Sequence, residues 1–191
     1  NRYRTLVESI NDGVMHTDLS GKIQFVNKNI VDILGYSRSE LVGKYTFEEI
    51  VFPEDRETVM KKRNLRIKGV PDKYEIRAVA KSGNIVWLRV SGTPLYDNNG
   101  AIIGSVGFFS NITERKRAEE EVQKISHAIR QSPVAIVITD IKGLIEYVNP
   151  KFEELTGYSI NEAKGMNPKI LKSGDKSSDE YKELWDTILS G

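Results

Sequence analysis

Two histidines, His16 and His127, are the only side chains in these 191 residues that ordinarily titrate near neutrality, and there is no cysteine. Without thiols, the chain has no route to disulfides, thiolate nucleophiles, iron–sulfur clusters or the common cysteine zinc sites. His127 lies in Ile125-Ser-His-Ala-Ile-Arg-Gln-Ser-Pro133. An imidazole that attacks a phosphoryl group works best beside an acid, and Ala128 occupies the neighbouring position. His127 therefore reads as a helix residue beside a domain boundary. His16 falls on a predicted strand and reads as a partly buried structural histidine. No G-x-G-x-x-G or G-x-x-x-x-G-K-[ST] string occurs, so neither of the usual glycine loops for nucleotide phosphates is present.

The elements that carry these residues are written twice. GVMHTDLSGKIQFVNKNIVDILGYSRSELVGK runs from Gly13 to Lys44, and AIVITDIKGLIEYVNPKFEELTGYSINEAKGM from Ala135 to Met166, an offset of about 122 positions without a gap. Thr17/Thr139, Asp18/Asp140, Gly21/Gly143, Asn27/Asn149, Gly35/Gly157 and Glu40/Glu162 match, which predicts two copies of one folding unit. In the first, Tyr3, Leu6, Val7 and Ile10 share a helical face. Strands at Val14–Thr17 and Lys22–Val26 flank the turn Asp18-Leu-Ser-Gly21. Asn27 can cap a helix that ends at Gly35, and Ser37 with Glu40 forms a capping box closed by Gly43. Pro53 opens a helix that runs to about Lys68 and stops at Gly69. Alternating strands then follow at Lys73–Ala80, Asn84–Tyr96 and Ala101–Ile112. Five strands with one covered face predict an α+β domain.

From Thr113, read as a helix cap, an uninterrupted helical stretch reaches Ser132. Ala118, Val122, Ile125 and Ile129 form a two-heptad apolar seam, with Arg117–Glu121 and Glu120–Lys124 as i,i+4 pairs on the other side. The second unit repeats the hairpin and short helices and passes through Lys172-Ser-Gly-Asp175 into a helix over Ser178–Leu189, with no three-strand meander before Gly191. The expected division is 1–112, a complete domain; 113–132, a linker helix; and 133–191, the first part of a second domain, in an excised fragment that continues past Gly191. With 28 basic and 27 acidic residues mixed along the chain, no net field draws in nucleic acid or an anionic membrane. No apolar run approaches the ~18 residues of a membrane span. The opening NRYRTLVESI is unlike a secretory leader, and a cytoplasmic location is expected.

In this order the strings resemble two PAS domains in series, one complete and one cut short. The resemblance is carried by the two TDxxGxIxxVN segments, the GYSxxELxG-like segments, Phe52-Pro-Glu-Asp55, and SGNIVWLRVSGTPLYDNNGAIIGSVGFFSNITERK from Ser82 to Lys116, and it covers almost the whole chain. It implies a five-stranded antiparallel sheet with short helices over one face, enclosing a pocket for a ligand or cofactor. PAS domains sense and dimerise, seldom catalyse, and regulate histidine kinases, cyclic-dinucleotide enzymes or chemotaxis-like outputs. Asn111-Ile112-Thr113, the signal exit, stands where the family usually has Asp-Ile-Thr. Asn111 carries no charge, so this joint is expected to be less sensitive to pH and salt than a salt-bridged one.

Within that resemblance, the pocket candidates are Phe25, Ile33, Tyr36, Leu41, Phe47, Met60, Tyr74, Ile76 and Phe108, each of which also serves as plain core. The His127 segment resembles the Ser-His-Glu-Leu-Arg-Thr-Pro box of histidine kinases. It departs from it at Ala128 and by one extra residue between Arg130 and Pro133. Haem-binding PAS domains use a His on the helix before the meander, and neither Arg56–Lys68 nor Ser178–Leu189 contains one, so haem is not expected. Gly165-Met-Asn-Pro-Lys-Ile-Leu-Lys-Ser-Gly174 resembles the photoreactive segment of light-sensing LOV domains, but Pro168 replaces their Cys, which rules out adduct photochemistry. Redox-sensing PAS domains that hold FAD carry a similar segment, so in a complete second domain Asn167 and Trp185 are candidate flavin contacts. For this stretch of chain no cofactor is the first expectation. The reading is a non-enzymatic sensory and dimerisation module. It forms a homodimer, binds a small molecule or partner, and signals through the linker helix to a downstream output domain in the same chain, a histidine kinase. Nucleic acid and membrane are not expected partners. The alternatives are a ligand-free PAS dimerisation scaffold and flavin-based redox sensing by the complete second domain.

Overall fold

The computed structural model describes residues 2–171. The chain divides into two compact units, residues 1–119 and 120–191.

The first unit opens with helix α1 (Arg2–Glu8) and the hairpin β1 (Gly13–Asp18) and β2 (Ile23–Val26). Its turn is local chemistry. The Asp18 carboxylate accepts from the Ser20 and Lys22 N–H groups at 2.9 and 3.0 Å, and Gly21 takes the left-handed φ of 89° that the turn requires. Helices α2 (Lys28–Leu34), α3 (Arg38–Leu41) and α4 (Phe47–Ile50) follow, then a 3-10 turn (Pro53–Asp55) leading into α5 (Arg56–Arg66). The meander β3 (Asp72–Val79), β4 (Ile85–Tyr96) and β5 (Ile102–Asn111) completes an antiparallel sheet of order β2-β1-β5-β4-β3. Alternation turns Met15, Val26, Ile76, Leu88, Val90 and Phe109 toward the helices, where they pack with Ile30, Leu34, Leu41, Phe47, Ile50 and Val59. The five-stranded α+β architecture is thus the one expected from the sequence.

Helix α6 spans Thr113–Arg130. Beyond it, the second unit has β6 (Val137–Thr139), β7 (Ile145–Val148), α7 (Pro150–Thr156), α8 (Ile160–Ala163) and a 3-10 turn (Pro168–Leu171) around a small core of Ile145, Val148, Phe152 and Ala163. The helix expected at Ser178–Leu189 lies outside the described residues.

One side chain organises each hairpin. Asn27 is fully buried; its oxygen accepts from the N–H of Val14 (2.8 Å) and Ile30 (3.1 Å), and its amide donates to the carbonyls of Val7 (3.2 Å) and Asp12 (3.0 Å). Asn149, also fully buried, repeats all four bonds. It accepts from Ile136 and Phe152 (2.8 and 3.1 Å) and donates to Ile129 and Val134 (3.2 and 2.9 Å). Each Asn is more than a helix cap, because it also ties the preceding helix to the hairpin.

Candidate functional site

Between the sheet and the helices of the first unit lies a cavity of about 20 Å³, the space of one or two waters. Period-two alternation brings Met15 and Thr17 of β1, Tyr74 of β3, Val90 of β4, and Ser105, Gly107 and Phe109 of β5 to its sheet wall. Phe47 and Glu48 of α4 and Arg63 and Arg66 of α5 close the opposite side. A Cβ on Gly107 would sit 2.7 Å from the Phe109 ring, so the glycine leaves room for that ring, which meets Phe47 edge-on with centroids 5.1 Å apart.

The polar lining is paired. Arg63 bonds Glu48 at 2.7 Å, Arg66 bonds Asp72 at 2.9 and 3.1 Å and approaches the Tyr74 hydroxyl at 3.4 Å, and the Thr17 and Ser105 hydroxyls share a bond of 3.0 Å. Arg66 is only 5% exposed. Burial raises the Asp72 carboxyl above its ordinary range against the opposing pull of Arg66, and burial likewise raises the Tyr74 phenol. Among the described residues, two buried polar atoms of this lining lack a partner: Arg66 Nε and Glu48 Oε2.

Of the residues singled out from sequence, Phe47 and Tyr74 line the cavity; Leu41 and Ile76 are core, and Ile33 and Tyr36 pack against it. Three are displaced from the cavity. Phe25 sits opposite His16 in the β1–β2 ladder, on the face away from Met15 and Val26, with the Arg38 guanidinium 5.7 Å from its ring centroid. Met60 is 47% exposed, because Val59, Arg63 and Arg66 form the inward row of α5 and Met60 is one residue out of phase. Phe108 is 36% exposed and Phe109 points inward; in a Phe-Phe pair, composition alone cannot fix the phase of the alternation. Sequence reasoning missed Thr17, Glu48, Arg63, Arg66, Asp72 and Ser105. A signal existed for the arginines, since 59, 63 and 66 recur at i, i+4 and i+7 on an amphipathic helix.

The exit from this unit is also polar. Asn111 accepts from the Thr113 N–H at 3.0 Å, and Ile112 is buried. Thr113 does not act as a helix cap: its hydroxyl accepts from the Trp87 N–H of β4 at 3.0 Å, fastening the first residue of α6 to the sheet. The expectation of a charge-free joint is overturned by Glu75 of β3. It pairs with Arg115 at 2.7 Å, with Lys116 at 2.8 Å and with Arg89 at 3.4 Å, while Lys116 lies 5.0 Å from the Trp87 ring centroid. The Lys116 bond, ahead of the remaining cations, lowers the Glu75 carboxyl. Among the described residues the ion pairs along α6 are Arg115–Glu119 and Lys116–Glu119, in place of the expected Arg117–Glu121 and Glu120–Lys124.

Along α6, Ala118 is exposed, Val122 and Ile125 are 67% and 54% exposed, and Ile129 is half-buried. In the second unit Val122, Ile125, Ser126, Ile129, Ile138 and Tyr147 line an apolar groove of about 280 Å³. His127 is exposed, and His16 is half-buried with its pKa lowered by burial and partly restored by Asp18. Asn167 accepts from the Lys169 N–H at 3.0 Å, a local turn bond, and Trp185 lies outside the described residues. Among the described residues no cluster of His, Cys, Asp or Glu has the arrangement of a metal site, and no helix is long and apolar enough to cross a membrane.

Comparison with known proteins agrees with this architecture. The chain is 25% identical over 155 residues to sporulation kinase C of Bacillus subtilis, covering 80% of this chain and 36% of that protein. It is 33% identical over 97 residues to a blue-light-activated histidine kinase of Brucella ovis, covering 51% and 19%. The chain therefore spans about a third or less of the length of these relatives. A crystal structure of a PAS domain from Colwellia psychrerythraea aligns with a TM-score of 0.55 and 27% identity, over 60% of this chain and 97% of that one. The family profile described as PAS fold matches residues 1–112 and again 123–191, and the chain belongs to the PAS family.

Proposed function

We propose that this chain is the sensory and dimerisation part of a signalling protein. It takes a small ligand into the cavity of the first unit, passes the change through Asn111–Thr113 into α6, and acts on a histidine kinase further along the same chain, in the cytoplasm. The observation that carries the reading is the state of α6. Its first turn is bonded to the sheet by Thr113 and Glu75, its last turn to the second unit by Asn149, and Val122 and Ile125 between them are left exposed. An apolar seam on a helix anchored at both ends suits packing against the same helix of a second copy, where a shift at either anchor alters the pairing. Kinase output is supported by the relatives, whose names describe a sporulation kinase and a light-activated histidine kinase.

The test is the Val122→Asp/Ile125→Asp double variant. Sedimentation should show a dimer for the unaltered protein and a monomer at the same concentration for the variant, with kinase output uncoupled in the full-length protein. Unchanged sedimentation together with unchanged output overturns the reading.

A further inference from the structure

The first-unit cavity carries a more specific reading, which rests on the proposal above that a ligand enters there. Its charged groups cancel. Arg63 is matched by Glu48 at 2.7 Å and Arg66 by Asp72 at 2.9 Å, so the wall offers no net charge to an ion of either sign. The two atoms left over are complementary: Arg66 Nε–H can only donate, and Glu48 Oε2 can only accept. At 5% exposure, the Arg66 side chain does not satisfy its Nε from solvent.

An incoming carboxylate or phosphate would bond Arg66 but set its charge against Glu48 and Asp72. An ammonium would bond Glu48 and meet Arg63 and Arg66. Neither escapes a like charge in a site screened from water. An uncharged group that accepts on one atom and donates from a neighbouring one answers both leftover atoms without meeting a like charge. We propose that the cavity binds the primary carboxamide end of a small molecule, its oxygen accepting from Arg66 Nε and its NH₂ donating to Glu48 Oε2. The volume of about 20 Å³ matches the two polar atoms of that group taking the place of one or two waters. The apolar remainder enters by parting the Phe47 and Phe109 rings, which meet edge to face beside it. Gly21 keeps this end open, since a Cβ there would lie 2.9 Å from Glu48 Oε2 and run into Arg63.

The experiment titrates the full chain, isotope-labelled, with propionamide, propionate and propylammonium, and follows the backbone amide resonances of Gly21, Ser105 and Gly107. Propionamide should shift them saturably and bind at least about tenfold more tightly than either ion, the factor expected when a buried charge-assisted hydrogen bond is gained instead of opposed. Glu48→Gln, which keeps the shape of the wall and removes its negative charge, should bring propionate to at least the affinity of the amide. Propionate binding as tightly as propionamide to the unaltered protein, or a preference unmoved by Glu48→Gln, overturns the carboxamide assignment while leaving a ligand cavity standing. No shift at these resonances with any of the three probes overturns both readings.

Discussion

Asn27→Asp tests whether the buried asparagine is a helix cap or a four-way tie. As N-caps, Asn and Asp are nearly equivalent, so capping alone predicts a change of less than about 0.5 kcal/mol. The structure predicts otherwise, because the amide also donates to Val7 O at 3.2 Å and Asp12 O at 3.0 Å, in a site with no solvent exposure. A carboxylate keeps the two accepted bonds and loses both donated ones, at about 1 kcal/mol each, and it turns an anion toward two carbonyl oxygens. The expected loss is at least about 2 to 3 kcal/mol at neutral pH. Urea unfolding followed by Trp87 fluorescence in a Trp185→Phe background isolates the first unit. The sign with pH is a second check. Burial raises the folded-state pKa of the introduced carboxyl, so its protonated form, which can donate again, favours folding. The deficit should therefore be full above that raised pKa and shrink as pH falls toward the unfolded value of about 4. A variant within about 0.5 kcal/mol of the unaltered chain at pH 7, or a deficit independent of pH, refutes the tie.

Asn149→Asp should act the same way on the second unit and free the last turn of α6, seen as faster amide exchange at residues 126–130 with the first turn of the helix unaffected; equal protection would count against it. Glu75→Gln should loosen the start of α6 by less than about 1 kcal/mol, since its side chain is roughly a third exposed and screened. Because its cation partners lower the Glu75 pKa, the contribution is present above the unfolded glutamate value and lost as pH falls through the folded one. The backbone resonances of Thr113–Glu119 should thus move with acid or with molar salt in the unaltered chain and much less in the variant.

What was legible in the sequence was legible for local reasons. Asp18, Gly21, Gly35, the Ser37–Glu40 box and the cap bond of Asn27 to Ile30 act within a few residues, so spacing alone reveals the hairpin and its following helices, while the other three bonds of Asn27 do not show in it. The cavity was not, because its polar groups find partners across the fold: Arg63 with Glu48, Thr17 with Ser105. Arg66 reaches Asp72 only because α5 ends and the chain turns into β3 between them. Phe108 and Met60 fail differently, as errors of phase by one residue, to which a strand or helix face is unforgiving. Reading Asn111 for charge was correct about the residue and wrong about the joint, because Glu75 comes from another strand.

The bond from Asn149 to Ile129 repeats the bond from Asn27 to Val7 at the same sequence offset, so the last turn of α6 is to the second unit what α1 is to the first. One helix thus serves as the tail of one domain and the leader of the next. A second unit expressed without residues 120–130 would lack the carbonyl to which Asn149 donates, just as a first unit cut after Val7 would lack its own.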